Sequence, residues 1–206
     1  MNAIKNERGV ALITALLLTM ISLAIVMALL YFVVSGTKLS ASQKRYKNVL
    51  AASHGGAEVF TKELVPQLFE GYSTSKMIND FSGIHLAVAN RTCLDQKLAL
   101  PTASWGAVCG GAAAKSLSPK QAPDATFKLS GMASQPGFNV FTKIVDTVPG
   151  NSDRSGFELL DSAAGVTGTS SGVAPKHVVG VYRIEVQGEK EVNPQEKANL
   201  TVLYAY

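Results

Sequence analysis

Residues 6–20 read "NERGVALITALLLTM": a charged pair runs into a single glycine, and then charge disappears. From Val10 to Val34 there are 25 residues without a charge, and the polar ones among them are Thr14, Thr19 and Ser22. At about 1.5 Å rise per residue, a helix of that length exceeds the roughly 30 Å of a bilayer's hydrocarbon core. A helix buried in a soluble protein rarely stays uncharged for so long, so this segment is expected to span a membrane. A secretory signal fits less well. Its apolar stretch is about 7–15 residues and closes on a small-x-small site. Here the run is longer, and "YFVVSGTKLSASQ" (31–43) offers only Ser35 and Gly36. The segment is expected to stay attached to the rest of the chain.

Two signals disagree on which side the rest of the chain lies. Before the span, Lys5 and Arg8 are offset by Glu7; after it come Lys38, Lys44, Arg45 and Lys47. By the positive-inside rule this puts the bulk of the chain in the cytoplasm. The cysteines point outward. Cys93 and Cys109 are the only two, and an even pair suits an oxidising compartment. Their fifteen intervening residues match no CxxC redox or zinc pattern. A disulfide closing that loop would stabilise by about 3 kcal/mol in the chain-entropy model; two unrelated thiols are the alternative. The net charge of +4 divides into +1 before Val10 and +3 after it, with bases and acids interleaved beyond the juxtamembrane cluster. That is an ordinary solvated surface and gives no support to nucleic-acid binding.

Helical periodicity continues past the span. Leu39, Gln43, Tyr46, Leu50, Ser53, Ala57, Phe60 and Leu64 follow three-four spacing, six of the eight apolar, while Lys44, Arg45, Lys47, Glu58 and Lys62 occupy other faces. Gly55 and Gly56 weaken this helix by about 1 kcal/mol each relative to alanine and admit a bend. Pro66 is expected to kink or end it. Residues 67–136, rich in Ala, Gly, Ser and Pro, read as loops with short helices or strands. Strand signals then strengthen. "FNVFTKIVDTV" (138–148) places Val140, Thr142, Ile144 and Val148 on one side, and a short "FELL" (157–160) follows. In "VVGVYRIEVQ" (178–187), Tyr182, Ile184 and Val186 alternate with Arg183, Glu185 and Gln187. In "KANLTVLYAY" (197–206), Leu200, Val202, Tyr204 and Tyr206 share a face. The two runs predict an antiparallel pair, polar outside and apolar inside. The amphipathic half of the long helix can cover the apolar face. The expected fold is α+β: one long N-terminal helix, its first half membrane-spanning, packed on a C-terminal antiparallel sheet.

No motif makes a convincing enzyme. "GTSSG" (168–172) matches G-x-S-x-G with Ser170 in the nucleophile position, but only His177 follows, with no acid between, so a linker is the better reading. "NSDRSG" (151–156) sets Asn151, Asp153, Ser155 and Gly156 as a calcium loop begins, yet the closing glutamate position holds Ser162. His54, His85 and His177 are scattered without metal-ligand spacing. Neither cofactor nor metal is expected.

The first sixty residues resemble a type IV prepilin. The features are a short charged leader ending in Gly9, an uncut apolar segment directly after it, and an amphipathic helical continuation. "RGVALITALLL" (8–18) and "QKRYKNVLAASHGGAEVF" (43–60) look most like the PilX-type minor pilins; the K-type pseudopilin of type II secretion has a similar start. The resemblance covers about residues 1–62, and the head carries none. It implies a leader at 1–9, a transmembrane and filament-core helix at 10–35, its amphipathic extension at 36–66, and a periplasmic or extracellular α+β head at 67–206. It implies cleavage by prepilin peptidase on the cytoplasmic side between Gly9 and Val10, with methylation of the new Val10 terminus. That topology sends the head outward, where Cys93 and Cys109 can pair. At the fifth mature position, where major pilins carry a glutamate thought to pair with a neighbour's terminal ammonium, this chain has Thr14. A threonine cannot neutralise that charge, and a buried unpaired ammonium is costly. The resemblance therefore implies a low-copy minor pilin of the pilus tip or priming complex. Its partners would be major and minor pilins, the peptidase, the inner membrane and a tip adhesin. The alternatives are a K-type-like pseudopilin and a signal-anchored periplasmic binding protein that never enters a filament.

Overall fold

The computed structural model describes residues 7–131, 136–149 and 180–206, in two compact units, one ending at Arg45 and one running from Tyr46 to Tyr206. Helix α1 (Glu7–Val59) starts in the first unit and continues into the second. From Val10 to Val34 it is apolar on every face, and those faces are exposed: Leu12 at 71%, Leu18 at 67% and Phe32 at 69%. The hydroxyls of Thr14, Thr19 and Thr37 donate to the carbonyls of Ala11, Leu16 and Val34. These three hydroxyls are thus satisfied inside the helix, which suits the Thr14 and Thr19 positions to a bilayer. Among the described residues this is the one helix long and apolar enough to cross a membrane.

The second unit is an α+β layer pair, in which the remainder of the long helix lies on a five-stranded antiparallel sheet of described residues. The sheet runs in the order β1 (Ala87–Val88), β2 (Ala125–Leu129), β3 (Phe138–Pro149), β4 (Gly180–Lys190) and β5 (Lys197–Ala205). The buried helix face comprises Val49, Ala52, Ser53, Gly56, Ala57, Phe60, Thr61 and Leu64. This corrects the expected stripe: Ser53, Ala57, Phe60 and Leu64 belong to it, whereas Leu39, Gln43 and Tyr46 are exposed. The two adjacent glycines do not break the helix, which runs on through both. At Gly56 the sheet's side chains leave no room for a Cβ. A Cβ there would lie 2.5 Å from a Val140 methyl and 3.0 Å from the Phe127 ring. Opposite, a Cβ on Gly188 of β4 would sit 2.3 Å from Ser53 Oγ.

Pro66 does not end the helical run. It lacks the N–H an α-helix would offer to the carbonyl four residues back, and its ring crowds that carbonyl. The helix widens just ahead of it into a π turn, Phe60–Leu64, in which Val65 N–H donates to Phe60 O. Thr61 Oγ1, inside this turn, donates back to the Ala57 carbonyl at 2.8 Å. A further turn, α2 (Val65–Phe69), follows, so the helical run outlasts its expected end. Arg91 then clasps its C-terminus, donating to the carbonyls of Leu68 and Tyr72. Two short helices follow: α3 (Thr74–Asp80), capped by Ser73, and α4 (Arg91–Ala99), capped by Asn90. Met77, Leu94 and Leu98 from these helices join Phe60, Leu64, Phe127, Ile144, Tyr182 and Ile184 in one core.

Strands β4 and β5 pair as expected, with Ile184 opposite Val202 and Val186 opposite Leu200, and Tyr182, Ile184 and Val186 buried. Two expectations fail. On β3, a bulge between Ile144 and Asp146 reverses the alternation, so Thr147 pairs with Tyr182 and is buried, while Val148 turns outward at 53% exposure. A single inserted residue moves every later side chain to the other face. The polar face of β4 is not open either: Glu185, Gln187 and Glu189 are buried. Helix α5 (Ala112–Lys115) and the loop after it lie on that side, with Lys143 Nζ donating to the carbonyls of Ala113, Ser118 and Gln121 at 3.0, 2.8 and 2.7 Å. Lys120 closes the cover by pairing with Glu189 at 2.7 Å.

Candidate functional site

The residues singled out by sequence fall into two groups in different units. Gly9, Val10 and Thr14 lie in the opening turns of α1. Val10 is 47% exposed, and a Cβ on Gly9 would meet nothing within 4 Å, a property it shares with Gly36. Packing therefore does not demand glycine at position 9, and glycine costs a helix about 1 kcal/mol relative to alanine. The Thr14 hydroxyl is already engaged, donating to Ala11 O at 3.0 Å.

Cys93 and Cys109 form a disulfide, with Cα atoms 5.0 Å apart. Cys93 stands on the first turn of α4 and Cys109 at the end of a short 3₁₀ turn, Ala107–Cys109. Both are buried and pack with Ala114 and Trp105. The enclosed loop is held twice more: Gly106 N–H donates to Gln96 Oε1 at 2.9 Å, and Trp105 Nε1 donates to Leu100 O at 3.1 Å.

Sequence reading missed a buried ion pair of the head. Lys97 and Asp124 are 1% and 2% exposed, and Lys97 Nζ lies 2.8 Å from each Asp124 carboxylate oxygen. The pair also extends the sheet. Strand β2 stops at Ala125, and beyond it Asp124 Oδ2 accepts from Ile144 N–H at 2.7 Å while Lys97 Nζ donates to Ile144 O at 3.0 Å. Side chains thus supply the backbone partners of β3 just ahead of its bulge. Burial pushes the Asp124 carboxyl up and Lys97 opposes it; burial also lowers the Lys143 ammonium, with Lys97 adding to the effect and Asp124 and Glu185 opposing it. Both Asp124 oxygens are engaged by Lys97 and Ile144, so the arrangement joins α4 to β3. One signal could have exposed it: in "RTCLDQKLA" (91–99), Lys97 shares a helical face with Cys93 and Leu94.

Of the remaining candidates, Ser170, His177, "FELL" and the Asn151–Ser162 stretch lie outside the described residues. His54 is exposed on α1, and His85 is exposed in the left-handed conformation closing a 3₁₀ turn. Among the described residues no three His, Cys, Asp or Glu side chains converge as a metal group would. Compared with family models, curated proteins and solved structures, the chain matches none.

Proposed function

We propose that the chain is a minor pilin of the type IV class, of the PilX type, cut between Gly9 and Val10 and then drawn from the inner membrane into a filament. The observation that carries this reading is the Gly9 junction: a charged leader meets a helix with no charge from Val10 to Val34. Four features support it. Glycine at position 9 has no packing role, so a requirement outside the fold, recognition by a peptidase, accounts for it. Its low helix propensity in the first turn of α1 eases the local unwinding that cutting a peptide bond needs. The helix then lies on an antiparallel sheet, the layout the resemblance implies. The Cys93–Cys109 disulfide fits a head in an oxidising compartment.

Cutting leaves an ammonium on Val10 at the head of an apolar helix. In a bundle of such helices that charge needs a carboxylate nearby, since an unpaired buried charge is strongly unfavourable. Thr14 cannot supply one, and its hydroxyl is turned to the Ala11 carbonyl. The chain accordingly suits a place where few copies stack: the tip or the priming complex, among other pilins and beside an adhesin. Mass spectrometry of the mature protein tests this. The expected N-terminus is a methylated Val10; a retained Met1–Gly9 leader, unaffected by substituting Gly9, would overturn the reading in favour of a simple membrane anchor.

A further inference from the structure

The bases that come after the apolar run have no place in this role, and they sit on the side where the positive-inside rule does not expect them. No acid occurs between Glu7 and Glu58, while Lys38, Lys44 and Arg45 are exposed on the part of α1 within the first unit. Two landmarks fix their depth. Tyr31 and Phe32, 72% and 69% exposed, stand at the end of the run as an interfacial aromatic belt does. Lys38 is four residues past Val34, about 6 Å along the axis, and Lys44 is about 15 Å along it. The headgroup layer is about 5–7 Å deep on each side of the hydrocarbon. Helical side chains lean toward the helix N-terminus, here toward the bilayer, and the lysine stem lets its ammonium snorkel further. The Lys38 ammonium therefore falls within the headgroups. That of Lys44 comes within the Debye length of about 8 Å that applies at physiological ionic strength.

We infer that Lys38 and Lys44 form a basic pair that binds anionic phospholipid headgroups at the C-terminal end of the span. A base near such a surface is worth about fivefold in affinity. This attraction steadies the subunit at the leaflet where the span ends until a filament takes it up. The inference rests on α1 crossing the membrane and not on cleavage at Gly9.

The test uses the full-length chain in nanodiscs containing phosphatidylcholine and phosphatidylglycerol in equal amounts, with retained lipids counted by native mass spectrometry. The wild type should retain phosphatidylglycerol preferentially, by about 25-fold for two bases at about fivefold each, and lose that preference as salt rises. Lys38→Gln/Lys44→Gln should lower it by about fivefold per base removed, while Lys62→Gln, in the π turn of the second unit, should leave it unchanged. Equal retention of both lipids by the wild type, or a preference untouched in the double variant, overturns the inference alone. A chain that does not enter the discs overturns the membrane reading and the inference with it.

Discussion

At the scale of single residues, two glycines and one ion pair decide how closely the second unit packs. Gly188 faces Ser53 Oγ and the Val49 carbonyl, where a Cβ would stand 2.3 and 3.1 Å away. Because the second neighbour is backbone, it cannot rotate aside. Gly188→Ala should cost about 1–3 kcal/mol as an overpacked contact. Gly55 is the control: its nearest neighbour would be Leu129 Cδ1 at 3.8 Å, an ordinary contact, so Gly55→Ala should stabilise by up to about 1 kcal/mol through helix propensity. Urea unfolding followed by the single tryptophan, Trp105, separates the two signs. The same assay tests Lys97. Lys97→Met leaves Asp124 buried and unpaired and should cost about 3–5 kcal/mol. Lys97→Met/Asp124→Leu should recover part of that loss; a double variant as unstable as the sum of both singles would mean the two do not act as a pair.

At the scale of elements, what was legible is what repeats. The apolar run, the three-four spacing from Ser53 to Leu64 and the alternation of Tyr182, Ile184 and Val186 each report a surface repeated along one element, and each is buried or exposed as that pattern predicts. What was not legible is what happens once. The bulge ahead of Asp146 adds no local signal to "TKIVDTV" (142–148), yet it hands the inner position from Val148 to Thr147. The Lys97–Asp124 pair joins side chains 27 residues apart in sequence, beyond the reach of any periodicity. The same core explains an alkaline weakness. Tyr182 is 1% exposed and donates to Leu98 O at 2.8 Å, and burial pushes its hydroxyl up to about 12. Above pH about 10 the unfolded chain gives up this proton while the folded chain keeps it, so stability falls as pH rises from about 10 toward about 12, by up to about 1.4 kcal/mol per pH unit. Tyr182→Phe has no proton to lose. It should be less stable than wild type by about 1 kcal/mol near pH 8, and thermal melts should show that gap closing above pH 10.

At the scale of the whole molecule, the Cys93–Cys109 cross-link and Thr14 separate stability from assembly. Cys93→Ser/Cys109→Ser releases a fifteen-residue loop and should cost the head about 3 kcal/mol, without altering the N-terminus found by mass spectrometry. Thr14 is the converse. It is exposed on α1 and its hydroxyl is bonded within the helix, so its replacement should leave the stability of the head unchanged. Under the proposed function it limits how many copies can stack, because the Val10 ammonium finds no carboxylate on a neighbouring copy. Thr14→Glu supplies one, and a gain of even 1.4 kcal/mol in that contact shifts incorporation by about tenfold. Quantitative mass spectrometry of sheared filaments should therefore show the ratio of this subunit to its major partner rising severalfold in Thr14→Glu. Thr14→Ala, which adds no charge, should stay at the wild-type ratio. Both variants should still begin at Val10, which separates a change in assembly from a change in processing. A Thr14→Glu ratio equal to wild type, with processing intact, would show that the missing carboxylate does not set the copy number.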